Sequence, residues 1–202
     1  MIEIQNLGKK FDEKVLFDGF NYRIEDGDFV VFCGESGCGK TTLLNMIGCL
    51  EKPDSGSILI DGTDYAKVRN KRALFAYKLG FLFQNFALLE GKTVEQNLYM
   101  IQKKARSEKS LDEVLAAVGL SEKKGSKVYK LSGGEQQRVA LARLMLKKCD
   151  IILADEPTGS LDEHNADLVM DILHLINQMG KTVILVTHSP KIIGREHNVV
   201  RL

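Results

Sequence analysis

The 202-residue chain has no long hydrophobic run. Its longest uncharged stretch, Leu79 to Leu89, has eleven residues, well short of the ~18 that a membrane-spanning helix needs. Its first thirty residues carry Glu3, Asp12, Glu13 and Asp18 and no apolar segment of signal-peptide length. Neither sign of charge is in excess: Lys plus Arg is 28, Asp plus Glu is 27, and the net charge is +1. That balance argues against broad electrostatic capture of nucleic acid or of an anionic membrane. The four cysteines, Cys33, Cys38, Cys49 and Cys149, form no C-x-x-C pair and have no histidine at zinc spacing, so they read as reduced thiols. Internal repeats, low-complexity tracts and Pro/Gly/Ser-rich linkers are all missing, which predicts one domain over residues 1–202. With 44% apolar and 27% charged residues, the composition is that of a soluble globular chain. It is expected in the cytoplasm unless a partner holds it to a membrane.

Three short runs are almost wholly apolar: Phe29 to Cys33, Ile151 to Ala154 and Val183 to Val186. Such runs fit strands buried on both faces of a parallel sheet. Helical patterns accompany them, Thr42 to Leu50 after the first and Asn165 to Gln178 before the third. Alternating strands and helices predict an α/β layer structure. Leu79 to Phe83 reads as a fourth strand, delivering Gln84. Each strand end carries chemistry: Gly34 opens a glycine-rich loop, Asp155 and Glu156 close the second strand, and Thr187 and His188 close the third. Ligand crevices of open parallel sheets lie outside the carboxyl ends of the strands, so these residues are expected to converge. Residues 1–32 with 57–60 alternate polar and apolar positions between turn signals, which predicts an antiparallel β layer. Residues 85–147 are read as an inserted, largely helical lobe, broken at Gly91, Gly119, Gly125 and Gly133-Gly134.

Gly34-Glu35-Ser36-Gly37-Cys38-Gly39-Lys40-Thr41 fits G-x-x-x-x-G-K-[ST] between an apolar strand and a helix. The glycines allow successive backbone N–H groups to face one anion, and the following helix adds its positive end. Lys40 supplies a point charge for β- and γ-phosphates, and the Thr41 hydroxyl is the expected Mg²⁺ ligand. Asp155, 115 residues beyond Lys40, is a strand-end carboxylate suited to the second Mg²⁺ anchor. A second glycine motif, Leu131-Ser132-Gly133-Gly134-Glu135, opens a helix through Gln136, Gln137 and Arg138 to Leu146. Ser132 is its N-cap candidate, and the glycines suggest another anion site at a helix end.

The string Leu-Ser-Gly-Gly-Glu-Gln-Gln-Arg resembles the signature of ATP-binding cassette (ABC) ATPases, and the other motifs follow in that family's order. The resemblance implies a P-loop NTPase fold: a parallel-sheet core, an antiparallel β layer and an inserted helical subdomain. It implies roles for Gln84 as the Q-loop residue (near the metal or water), Glu156 as catalytic carboxylate, Asp162 as D-loop residue and His188 as switch histidine. Phe11 stands where the family stacks an aromatic on adenine. Val15 and Thr42 are carried over as further nucleotide contacts. Ala154 to Asp162 is most similar to cassettes of lipoprotein-release, macrolide-export and bacteriocin-export systems, the short bacteriocin-export (lactococcin-972) type looking nearest.

Two cassettes of this family close head to tail on two ATP molecules, so Ser132, Gly133 and Gly134 are expected to reach the nucleotide of a second copy. The resemblance further implies a membrane permease subunit, received next to Phe86, Leu88 and Leu89, and hence a peripheral place on the inner face of the membrane. The sequence ends at Val199-Val200-Arg201-Leu202, where many relatives continue, so no C-terminal regulatory domain is expected. Only about ninety residues separate Lys40 from Leu131, too few for the coiled coils of DNA-maintenance ABC ATPases. Export of a peptide, lipoprotein or drug, and mechanical driving of a membrane protein in cell division or stress signalling, both remain compatible with these residues.

Overall fold

A computed structural model describes all 202 residues. Two sheets organise it. Strands β1 (Ile2–Phe11), β2 (Lys14–Ile24), β4 (Ser55–Ile60) and β5 (Thr63–Asp64) form an antiparallel sheet in the order β2-β1-β4-β5. Strands β3 (Phe29–Cys33), β6 (Leu79–Leu82), β7 (Ile151–Asp155), β8 (Thr182–Thr187) and β9 (Val199–Arg201) form a parallel sheet in the order β6-β7-β8-β3-β9. The amino-terminal part of the antiparallel layer thus ends at Ile24, and Phe29 to Cys33 joins the other sheet, because both faces of that run are buried.

Residue alternation along the parallel strands explains their uniformly apolar sequences. Val30, Phe32, Ile184 and Val186 point into the core shared with the antiparallel sheet and α1 (Lys40–Ile47). Val31, Val183 and Leu185 point into the opposite core, beneath α4 (Gly133–Leu146) and α5 (Glu163–Gln178). A strand with partners on both faces has no polar phase.

Between β6 and β7 the chain forms α2 (Val94–Leu98), α3 (Leu111–Ala117) and α4, linked by single 3₁₀ turns. This region is less helical than its pattern suggests: α2 has five residues and α3 seven. Both start at a reciprocal capping box, Thr93 with Gln96 and Ser110 with Glu113, and such caps close short helices efficiently. The last helix, α6 (Pro190–Ile193), follows β8. No helix is long and apolar enough to cross a membrane.

Candidate nucleotide-binding and hydrolysis site

β3 ends at Cys33 and α1 begins at Lys40, so the glycine-rich loop turns at the carboxyl edge of the parallel sheet. Gly39 occupies the N-cap with φ 106°, and a Cβ there would lie 3.0 Å from the Phe17 ring. Only glycine meets both demands. No side chain caps α1 and its first turn has no acidic residue. Its first N–H groups therefore point outward at the positive end of the helix, an arrangement that attracts an anion. Lys40 is only 8% exposed, and its Nζ donates to the carbonyls of Gly34 (2.9 Å) and Glu35 (2.8 Å). A sequestered ammonium needs such acceptors, so the side chain is folded into its own loop rather than extended from it.

A cleft of about 750 Å³ opens over this loop. Phe11, Gly34 to Gly37, Gly39 to Thr42, Glu156 and His188 line it, with Lys14 and Leu16 from β2. Lys14 and Leu16 escaped sequence reasoning. Lys14 Nζ donates to the Gly37 carbonyl at 2.9 Å, steadying the loop from the antiparallel sheet. Val15, between them, is 60% exposed and does not face the cleft, because alternate residues of a strand point to opposite sides.

Two strand ends meet at the far wall. β7 and β8 pair in parallel with Asp155 opposite Val186, which places Glu156 beside Thr187 and His188. Glu156 Oε1 lies 2.6 Å from His188 Nδ1, and Oε2 accepts from the Thr187 hydroxyl at 3.1 Å. An ionised Glu156 can only accept, so Nδ1–H of His188 is the donor of this contact. Glu156 itself has φ 44°, a left-handed conformation that a non-glycine residue holds only under constraint. Thr187 and His188, at the end of β8, thus converge with Glu156 as their strand-end positions predict.

Asp155 Oδ1 accepts from the Thr41 hydroxyl at 3.0 Å. Burial pushes the Asp155 carboxyl above the usual carboxylate range, aided by neighbouring Glu156 and opposed by Thr41. Two hard oxygen donors side by side, with no larger cluster of metal-ligating side chains, fit Mg²⁺. That ion usually takes one or two protein oxygens and completes its shell with water and phosphate. Gln84 stands two residues beyond β6, exposed and outside the cleft lining.

The second glycine motif lies apart from this cleft. Ser132 caps α4, its Oγ accepting from Glu135 N–H (3.2 Å) while Glu135 Oε2 accepts from Ser132 N–H (2.8 Å). This helix end is therefore partly claimed by its own carboxylate; Ser132 and Gly133 are exposed there and Gly134 is buried. A Cβ at Gly134 would fall 2.4 Å from Asn165 Oδ1, so glycine permits the close approach of α4 to α5. Asn165 Oδ1 accepts from Arg138 (2.7 Å), and Asn165 Nδ2 donates to Asp162 Oδ2 (2.6 Å). Gln137, fully buried, donates to the Pro157 carbonyl at 2.8 Å. The helix of the glycine motif is thereby clasped to both the Glu156–Asp162 loop and the start of α5.

A second concavity of about 690 Å³ is mostly apolar, with Phe75, Phe81, Phe83, Met100 and Ile101 on its walls. Phe86 and Leu88 instead pack, partly buried, against the core under α4. Arg143 holds the carbonyls of Ala87 (2.6 Å) and Phe86 (3.0 Å), both in left-handed conformation. Of the three residues expected to receive a partner, Phe86 and Leu88 are thus half-buried and Leu89 is exposed.

Cys38 gives a direct probe of the loop. It is half-buried, whereas Cys33 is buried, and burial pushes the thiols of Cys49 and Cys149 up. A maleimide is expected to label Cys38 first, and MgATP to slow that labelling. Peptide mass spectrometry showing equal labelling with and without MgATP would count against nucleotide at this loop.

Residues 17–159 match the family model described as ABC transporter. The macrolide export ATP-binding/permease protein MacB of Neisseria meningitidis serogroup A is 40% identical over 214 residues, covering 100% of this chain and 33% of that protein. MacB of Campylobacter jejuni is 38% identical over 212 residues, with the same coverage. The chain thus spans about one third of the length of the curated relatives it matches. Among solved structures, the dimeric post-hydrolysis state of the ATP-binding cassette MJ0796 bound to ADP and Pi superposes with a TM-score of 0.85 at 34% identity, covering 100% of this chain and 94% of that one. A bacterial Atm1-family ABC exporter with ATP bound gives 0.83 at 27% identity, covering 100% of this chain and 36% of that one.

Proposed function

Because the chain belongs to the ABC transporter family, we propose that it is the ATP-hydrolysing subunit of an exporter, closing as a homodimer on ATP to drive a membrane permease. The observation that carries this reading is the meeting of Glu156 and His188 on the wall opposite the phosphate loop, with buried Thr187 bonded to Glu156 behind them. In the mechanism these residues allow, the outward N–H groups of α1 and the Lys40 ammonium hold the β- and γ-phosphates, and Phe11 stacks on the adenine. Thr41 and Asp155 would hold Mg²⁺, whose charge offsets that of the phosphates. Glu156 takes a proton from a water as its oxygen attacks the γ-phosphorus. The bond to the β–γ bridging oxygen breaks, and ADP and phosphate are formed. Thr187 and His188 aim the carboxylate, and His188 is also placed to contact the γ-phosphate. Ser132, Gly133 and Gly134 act on the nucleotide of the second copy, with Asp162 beside them through Asn165. Gln84, outside the cleft in the single chain, would approach the metal or water as the two copies close.

The aromatic groove supports the permease part of the proposal. Relatives named as ATP-binding/permease proteins are about three times as long as this chain, and an apolar concavity at a strand end suits a short helix from a membrane protein. Cargo is proposed only as a class: a peptide, lipoprotein or drug. The test is to purify the tagged chain from detergent-solubilised membranes and identify what accompanies it. Met100→Glu, at an exposed groove position, is expected to lower recovery of the membrane protein at least about tenfold while ATPase activity of the isolated chain stays within about twofold. Undiminished recovery would remove the groove from the interface, and failure of the unmodified chain to retain any membrane protein would count against the transporter reading.

A further inference from the structure

Lys9 is one of the few buried charged residues, 7% exposed, and the hydrolysis mechanism does not use it. Lys9 and Phe11 stand two residues apart on β1, either side of Lys10, where the pairing with β2 shifts register. The Lys9 Nζ lies 4.9 Å from the centroid of the Phe11 ring. It donates to Glu51 Oε1 (2.7 Å), the Lys52 carbonyl (2.9 Å) and Asp54 Oδ1 (3.3 Å). Asp54 is fixed in turn: its Oδ2 accepts from Lys10 N–H at 2.9 Å, and its own N–H donates to the Gly8 carbonyl at 2.9 Å. Glu51 to Asp54 is the segment that leaves α1, the helix whose other end faces the phosphate position. Hydrogen bonds thus hold one ammonium outside the cleft, and a π-face inside it receives the same charge.

A salt bridge needed only to join β1 to this segment would have no use for the ring. Phe11 is 48% exposed at the end of its strand, where a phenyl group without support samples several rotamers and loses that freedom on stacking. An anchored cation against one face restrains the ring and draws electron density from it, which favours stacking of an electron-rich purine on the other face.

We infer that Lys9, clamped by Glu51 and Asp54, is a positioning residue of the nucleotide site that holds the Phe11 ring as a platform for the adenine base. The inference rests on the reading of Phe11 as the base contact. Lys9 touches no phosphate, so its contribution belongs to the base and not to the triphosphate.

Titrations of ATP and of inorganic tripolyphosphate against the full chain separate these parts. Lys9→Met is expected to weaken ATP binding about three- to tenfold and to leave tripolyphosphate affinity unchanged. Lys9→Arg, which keeps both the ion pairs and the cation over the ring, should restore ATP affinity. Adding Lys9→Met to Phe11→Ala should weaken ATP no further than Phe11→Ala alone. Glu51→Gln loosens the clamp from a more exposed position and carries the same ATP-selective loss if Lys9→Met is too unstable to titrate. Parallel loss of both ligands would show that the cluster only maintains the fold, and unchanged ATP affinity would show that the ring needs no brace. Either result overturns the inference. If Phe11→Ala weakens ATP while Lys9→Met and Glu51→Gln do not, only the brace fails. If Phe11→Ala leaves ATP affinity unchanged, the base-platform reading fails and the brace with it.

Discussion

Glu156→Gln is expected to lower the ATP hydrolysis rate by about 10²–10⁴, the usual range for loss of a positioned general base. The amide keeps the size of the carboxylate and can still accept from the Thr187 hydroxyl, which lies 3.1 Å from Oε2 in the unmodified chain. It cannot take a proton from water. Nucleotide binding should survive, because Lys40, Thr41 and the α1 N–H groups are untouched. With ATP held and not consumed, the closed pair of chains has no route to reopen through hydrolysis, so a dimer should accumulate in MgATP. Light scattering with and without MgATP measures it. Adding Ser132→Arg should abolish that dimer, since a long cationic side chain would replace the small cap at the entry to α4. An Arg cannot accept the Glu135 N–H as Ser132 does at 3.2 Å, so helix content is checked by circular dichroism alongside. A Glu156→Gln chain that hydrolyses ATP at the normal rate would remove Glu156 from catalysis. One that is inactive yet stays monomeric in MgATP would leave the catalytic role standing and overturn the head-to-tail dimer.

Lys40→Ala should reduce ATP affinity by about 10²–10⁴. Two charge-assisted hydrogen bonds to phosphate oxygens, each contributing ~1.5–3 kcal/mol, set that range. The same change deletes the bonds from Nζ to the Gly34 and Glu35 carbonyls, so a small loss of stability accompanies it. At ~1 kcal/mol for each bond, the melting temperature should fall by roughly 4–8 °C. Calorimetric titration and a thermal melt separate the two effects. Unchanged affinity in a folded variant would exclude Lys40 from phosphate binding. Lys40→Arg is the informative control, because a guanidinium keeps the charge but not the compact geometry that fits between two loop carbonyls.

Local features of this protein are legible in its sequence. The loop from Gly34 to Thr41 is set by residues adjacent in the chain: glycine at a left-handed N-cap, then a helix whose first N–H groups no neighbour claims. The caps at Ser110, Ser132 and Asp162 are also local, since each side chain bonds a backbone N–H three residues on. The strands of the parallel sheet announce themselves by having no polar phase, which follows from burial on two faces. Helix content between β6 and β7 was overread for a related reason. α2 and α3 run for only five and seven residues after their capping boxes, and periodicity cannot register so short an element.

Contacts between distant segments were decided by the tertiary structure. Glu156 meets Thr187 and His188 because β7 and β8 are neighbours in the sheet order, a fact that no stretch of either strand encodes. Lys14 and Leu16 reach the cleft because the antiparallel layer lies over the phosphate loop. Asn165 joins the Ser132 helix to Asp162 because Gly134 lets α4 approach it. Phe86 and Leu88 look like an exposed apolar cluster in sequence and are half-buried against the core under α4, where Arg143 bonds the turn that carries them. The ammonium of Lys9 comes to lie against Phe11 through partners 42 and 45 residues away. Bonds within a few residues follow from chain geometry alone, whereas pairings over dozens of residues depend on which strands and helices the packing makes neighbours.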